Sequence, residues 1–109
     1  MSDVLGTFEQ AVLLTVVRLG TDAYGRAILK EVQVRLQRDV TAGAVYATLD
    51  RLEAKDLISS RLGAGTPVRA GRQRRYYVIE RAGLHALNTS KHALDELWRG
   101  FQWPLKGRA

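Results

Sequence analysis

Residues 8–19 place Phe8, Ala11, Val12, Leu13, Leu14, Val16, Val17 and Leu19 on nearly every side of a helix. A helix with one buried face shows a polar stripe along the other. This one shows almost none, so it must pack against its own core and against something else as well. In front of it, Thr7 followed by Gln10 reads as a capping box. Behind it, Gly20 stands where a helix turns off in the left-handed conformation. The chain has 109 residues, enough for one domain with a modest core, and burying surface in a partner would add to that core.

Asp22 is placed to cap a second helix over 24–38, whose inward face is Tyr24, Ile28, Val32 and Leu36 with Leu29 alongside. After a few residues, Thr41 is placed to cap a third helix over 42–55, with an apolar stripe of Val45, Leu49 and Leu52. Two helices joined by so short a connection form a helix-turn-helix. Residues 57–62 and 73–79 read as the strands of a hairpin, and the glycines and proline of 63–71 mark the loop between them. Three helices followed by a basic-tipped hairpin make a winged helix.

The last helix is expected over 81–101. Leu87, Leu94 and Phe101 stand seven apart, and Leu97 and Trp98 join that side. A helix of roughly 20 residues is roughly 30 Å long and overhangs a domain of this size, so its seam needs a partner. The expected fold is mainly α with a small β-hairpin, in a single domain over 1–109. It consists of a winged helix-turn-helix region (7–79) and a C-terminal dimerisation helix (80–103), with a flexible tail (104–109). The homodimer interface would include Leu14, Leu87, Leu94, Leu97 and Phe101. Trp98, with Leu94 and Phe8, would line a cleft between subunits where an aromatic side chain either stacks on a flat ligand or only packs.

Composition narrows the function. There is no cysteine, so disulfides, thiolate metal sites and cysteine nucleophiles are excluded. No signal peptide is read at residues 1–6, and the longest apolar stretch, 11–17, is too short to cross a bilayer, so a cytoplasmic location without membrane attachment is expected. His85 and His92 share a side of the last helix near Glu96, but a metal site needs three or four converging ligands, and two surface histidines explain them. No nucleophile is paired with a base, Asp50 and Glu53 read as solvated or salt-bridged helix neighbours, and no cofactor motif is present, so neither an enzyme nor a cofactor is expected.

The net charge is +6, which suggests a polyanionic partner. Arg69, Arg72, Arg74 and Arg75 fall within seven residues at the hairpin tip, beside Gln73, and no acid lies between Asp56 and Glu80. Arginines at such a tip fork onto phosphate or enter a minor groove, unless the loop is merely solvated. On the third helix the side away from the apolar stripe carries Thr41, Gly43, Ala44, Ala47 and Arg51, with Tyr46 at its flank. Small residues let the backbone approach double-stranded DNA closely, and Thr41 with the free N–H groups of the first turn suits a phosphate. Arg51 is the one long donor there, so base readout should be sparse and DNA shape important. The alternative is that the alanines only favour helix and Arg51 is solvated. Tyr24, opening the helix that crosses the DNA backbone, either donates to a phosphate or belongs to the core. A protein-interaction module that no longer binds DNA is the competing reading, and the arginine-rich tip argues against it.

Several blocks, in order and spacing, resemble one family. They are Gly6-Thr7-Phe8-Glu9-Gln10-Ala11-Val12-Leu13-Leu14, Asp22-Ala23-Tyr24-Gly25, the run from Gly43-Ala44-Val45-Tyr46 to Arg51-Leu52-Glu53, and Gly71-Arg72-Gln73-Arg74-Arg75-Tyr76-Tyr77. Together they resemble the PadR family of bacterial transcriptional regulators, over about residues 5–87. The resemblance implies a homodimeric winged-helix repressor, often of detoxification or efflux genes. It also implies the shorter subfamily, in which one C-terminal helix and the first helix form the dimer interface. Some short members hold a flat aromatic compound between subunits against a tryptophan, and Trp98 is the matching residue. Two positions depart from the pattern: Ala47 stands where a hydroxyl residue is common, and Glu80 where a threonine usually caps the last helix.

Overall fold

The computed structural model describes residues 4–63 and 74–107. Four α-helices and one hairpin follow in order: α1 (Thr7–Leu19), a 3-10 turn (Gly20–Asp22), α2 (Gly25–Leu36), α3 (Ala42–Ala54), β1 (Ile58–Leu62), β2 (Arg75–Ile79) and α4 (Arg81–Trp98). This is a winged helix-turn-helix with a long C-terminal helix.

α1 sits at the centre. Val12, Leu13 and Val16 are fully buried against Ile28 and Val32 of α2 and Val45, Leu49 and Leu52 of α3. Leu14 and Val17 are 50% and 42% exposed, so the far side of the apolar helix is bare in the single subunit. Gly20, at φ +56, ends α1 and returns its N–H to the Val16 carbonyl, as its sequence position suggests. The start of α1 differs from the expected capping box. The cap residue is Gly6, and Glu9 rather than Gln10 reaches back to its N–H, while the Gln10 amide donates to the Leu5 carbonyl at 2.8 Å. Glu9 also pairs with Lys55 at 3.0 Å, tying α1 to the end of α3.

The second expected cap also falls differently. Asp22 belongs to the 3-10 turn, and α2 is capped by Tyr24 without a side-chain cap bond. α2 ends at Leu36, two residues before the expected end, where Gln37 adopts φ 52. The connection to α3 is held by the Gln33 amide on the Val40 carbonyl at 2.9 Å and by burial of Val40. Thr41 does cap α3: its hydroxyl oxygen accepts from Ala44 N at 3.1 Å. α3 closes on Asp56 at φ 62, with Asp56 N on the Glu53 carbonyl and Leu57 N on the Leu52 carbonyl. This is a Schellman turn with aspartate in the position that glycine usually fills.

β1 and β2 pair antiparallel from Ile58↔Ile79 to Leu62↔Arg75. A short third piece of backbone joins them: Tyr77 N donates to the Ala23 carbonyl at 2.8 Å, and Tyr24 bridges Tyr76. Ile58 and Tyr77 are buried under the sheet. Each strand begins or ends within a residue or two of its expected bounds, and Gln73 lies outside the described residues.

α4 packs in its first half. Gly83, Ala86 and Ser90 are its buried residues. A Cβ on Gly83 would stand 2.3 Å from the Leu57 carbonyl oxygen, so only glycine admits this approach to the hairpin. Ser90 donates to the Ala86 carbonyl and accepts from Leu5 N, both at 2.8 Å, which pins α4 to the chain entering α1. The helix stops at Trp98 rather than continuing to residue 101. Gly100 takes φ 88, and Phe101 N returns to the Trp98 carbonyl. Phe101 therefore does not extend a heptad seam, and lies 64% exposed in the segment after the helix. The Cα radius of gyration, 16.3 Å, exceeds the ~13 Å of a compact chain of this length.

Candidate nucleic-acid interface

The Thr41 cap presents the open end of α3. Behind it, Gly43, Ala44, Ala47 and Arg51 are all exposed on the side away from Val45, Leu49 and Leu52. Nothing crowds Gly43, where an added Cβ would meet no atom within 4 Å. Arg51 does not extend freely from this surface: its guanidinium donates to the Thr48 hydroxyl at 3.0 Å, which lays the side chain along the helix. The result is a smooth, low surface with one cation toward its far end.

Tyr46 and Tyr24 connect this surface to the hairpin. The Tyr46 ring lies over Gly25, where an added Cβ would come within 2.8 Å of it, so the glycine makes room for the ring at the head of α2. Next to it, the Tyr24 ring meets Tyr76 edge-on at 5.7 Å and carries the Arg74 guanidinium 4.1 Å above its centre. Arg61 lies 5.5 Å from the Tyr76 ring. Tyr24 is thus half-buried between hairpin and helix rather than wholly in the core. Arg74, Tyr24, Gly25 and Tyr46 form one continuous strip from the wing to the flank of α3. Arg61 was not singled out by sequence. Its signal is register alone, since it pairs with Tyr76 across the strands.

Arg75 turns to the other side of the hairpin and donates to the Ser60 hydroxyl at 3.0 Å. Arg69, Arg72 and Gln73, expected at the tip, lie outside the described residues.

The residues expected in a subunit cleft are not gathered within one subunit. Phe8 packs on the core and borders a shallow depression with Arg38, Val40, Thr41 and Ala44, beside the start of α3. Trp98 instead meets Trp103 edge-on at 5.7 Å. Leu94, Leu97 and Trp98 are exposed along the outer half of α4, while Leu87 packs partly on the core. Among the described residues, no three His, Cys, Asp or Glu side chains are grouped to hold a metal ion, and no helix is long and apolar enough to cross a membrane.

The fold is that of known proteins. Residues 13–89 match the transcriptional regulator PadR-like family. The chain is similar to an X-ray structure of a PadR-like transcription factor from Bacteroides fragilis, at 27% identity and TM-score 0.68 over 84% of each chain. It is similar to a PadR family transcription regulator from Clostridium difficile, at 28% identity and TM-score 0.58 over 82% of this chain and 93% of that one. A PadR family transcriptional regulator from Eggerthella lenta matches at 27% identity and TM-score 0.63, over 82% of this chain and 75% of that one. No curated protein matches. With the family pattern running from the second half of α1 to the first half of α4, this chain belongs to the PadR-like family of transcriptional regulators.

Proposed function

We propose that the chain acts as a homodimer that sets one α3 into each half of a pseudo-palindromic operator, the two half-sites roughly 34 Å apart, and represses transcription there. The observation that carries this reading is the strip just described. The exposed α3 surface of Thr41, Gly43, Ala44 and Ala47 runs through Tyr46 and Tyr24 to Arg74, so helix and wing can grip the same duplex. The N-termini of α2 and α3, at Tyr24 and Thr41, lie along that strip, and a helix N-terminus carries a partial positive charge suited to phosphate. The net charge of +6 adds long-range attraction. In this reading most affinity comes from arginines on phosphate, with Arg69, Arg72 and Gln73 completing the tip, while Arg51 is the one side chain on α3 able to fork onto a base.

The bare outer half of α4 and the bare far side of α1 supply the second part of the reading. Leu14, Leu94, Leu97 and Trp98 are too many exposed large apolar side chains for a lone small subunit, and a second copy would cover them together with Phe101. A flat aromatic compound seated against Trp98 in that interface would act as the releasing signal.

The test is fluorescence anisotropy on duplexes selected from a random library, over a salt series. The slope of log affinity on log salt should be about −5 or steeper. Arg74→Ala should weaken binding to every sequence, and Arg51→Ala should change which sequences are preferred. A flat salt dependence on the selected duplex removes the wing from the interface.

A further inference from the structure

Arg74 and Arg75 are neighbours in sequence but belong to opposite sides of the hairpin. Arg74 stacks on Tyr24, outward along the strip. Arg75 reaches back: its Nη1 donates to Ser60 Oγ at 3.0 Å, and Ser60 Oγ in turn donates to Glu53 Oε2 at 2.7 Å. One chain of hydrogen bonds thus runs from β2 through β1 to α3. The serine accepts at one end and donates at the other, so its hydroxyl is oriented by both charges, and such a relay polarises along its length. Glu53 and Ser60 are half-buried, which shields their bond from water. The phenol of Tyr77 sits in the same corner. Burial pushes its pKa up, the Arg75 charge opposes this, and Asp50 and Glu53 add to it.

A carboxylate on the helix that faces a polyanion works against binding. Two-stranded hairpins are marginal on their own and keep their direction only through what holds them to the domain. Here the base of the hairpin is held by buried Ile58 and Tyr77 and by the Tyr77–Ala23 bond. From Ser60, opposite Tyr77, the Glu53–Ser60–Arg75 chain adds a side-chain link between α3 and the hairpin, reaching to the outer end of the described strands.

We propose that Glu53, Ser60 and Arg75 form a strut that fixes the angle of the wing against α3, so that all three are positioning residues for operator recognition. The proposal rests on the reading that α3 and the wing grip one duplex. Arg75 then serves DNA through geometry rather than by touching phosphate, and Glu53 strengthens specific binding despite its charge.

Charge alone and the strut predict opposite signs for one substitution. Removing the negative charge of Glu53 should tighten binding to any duplex if charge is all that matters. With the strut, Glu53→Ala weakens binding to the selected duplex about five- to tenfold, the worth of one good hydrogen bond, and changes binding to a random duplex of equal length by less than about twofold. Glu53→Gln keeps an acceptor oxygen and retains most of the selected-duplex affinity. Ser60→Ala reproduces the loss, and is the deciding variant if Glu53→Ala melts at a much lower temperature. Arg75→Ala weakens the selected duplex without changing the salt slope, whereas a slope smaller by about 0.9 would make Arg75 a phosphate contact and overturn the assignment. Unchanged or tighter binding by Glu53→Ala and Ser60→Ala also overturns it. If the unaltered protein shows no preference for its selected duplex, the DNA reading itself fails and the strut fails with it, an outcome separate from a loss confined to the variants.

Discussion

The two halves of α4 use different residues for different neighbours. In the first half, the buried residues are small: Gly83, Ala86 and Ser90, spaced three and four apart, let the helix lie close on the hairpin and on the chain entering α1. In the second half the residues are large and apolar, and they touch little: Leu94 is 49% exposed and Leu97 73%. Small residues in a tight contact indicate a packing completed within the subunit. Large bare ones indicate a packing that needs another molecule. Leu87 joins the inner contact beside these small residues and Leu84 lies exposed, so the closest approach of α4 is made by the small residues, while most of its bare apolar bulk lies in the outer half.

The sharpest way to break this contrast is to give the inner half bulk. Gly83→Val would press a side chain onto the Leu57 carbonyl and should cost roughly 3 kcal/mol, lowering Tm by roughly 12 °C or more. Calorimetry checks this, and an unchanged Tm would mean that α4 does not lie this close to the hairpin. Next in size, if the proposed dimer buries these leucines, Leu94→Asp with Leu97→Asp should raise its dissociation constant at least about 100-fold while the chain stays folded, since burying a leucine contributes about 1.5–3 kcal/mol. Sedimentation velocity reads the first and circular dichroism the second. Ser90→Ala removes the acceptor of a buried N–H at Leu5 and should cost about 1–2 kcal/mol, measured by denaturant unfolding. Smallest of all, Lys91→Ala breaks an exposed pair with Asp95 and should change stability by no more than about 0.5 kcal/mol. A larger loss would place Lys91 in a contact that a single subunit does not show.

Local signals were legible in the sequence, and signals that depend on the meeting of distant segments were not. The Thr41 cap, the Gly20 ending and the hairpin are written within a few residues and stand as expected. The end of α4 was set too far along, because Leu87, Leu94 and Phe101 keep a seven-residue spacing across a glycine that turns the chain away. Asp22 has the chemistry of a cap but falls in a 3-10 turn, since the chain must first place Ala23 against Tyr77. Glu53 reads on its own helix as a solvated or salt-bridged acid, and only the folded hairpin brings Ser60 and Arg75 to it. Of the site, the smooth face of α3 could be read from the sequence. The stack of Arg74 on Tyr24 could not, because it joins residues 50 positions apart.

The Ser90–Leu5 bond makes α4 a lever. The eight residues from there to Trp98 are an arm of roughly 12 Å. A tilt of about 10° about that pivot carries the far end roughly 2 Å. In a dimer joined at the far ends, both arms add to about 4 Å, more than the ~3.4 Å rise of one base pair. In the proposed dimer, a ligand between the outer ends of α4 would therefore need to change an angle only slightly to put the two α3 helices out of step with their half-sites.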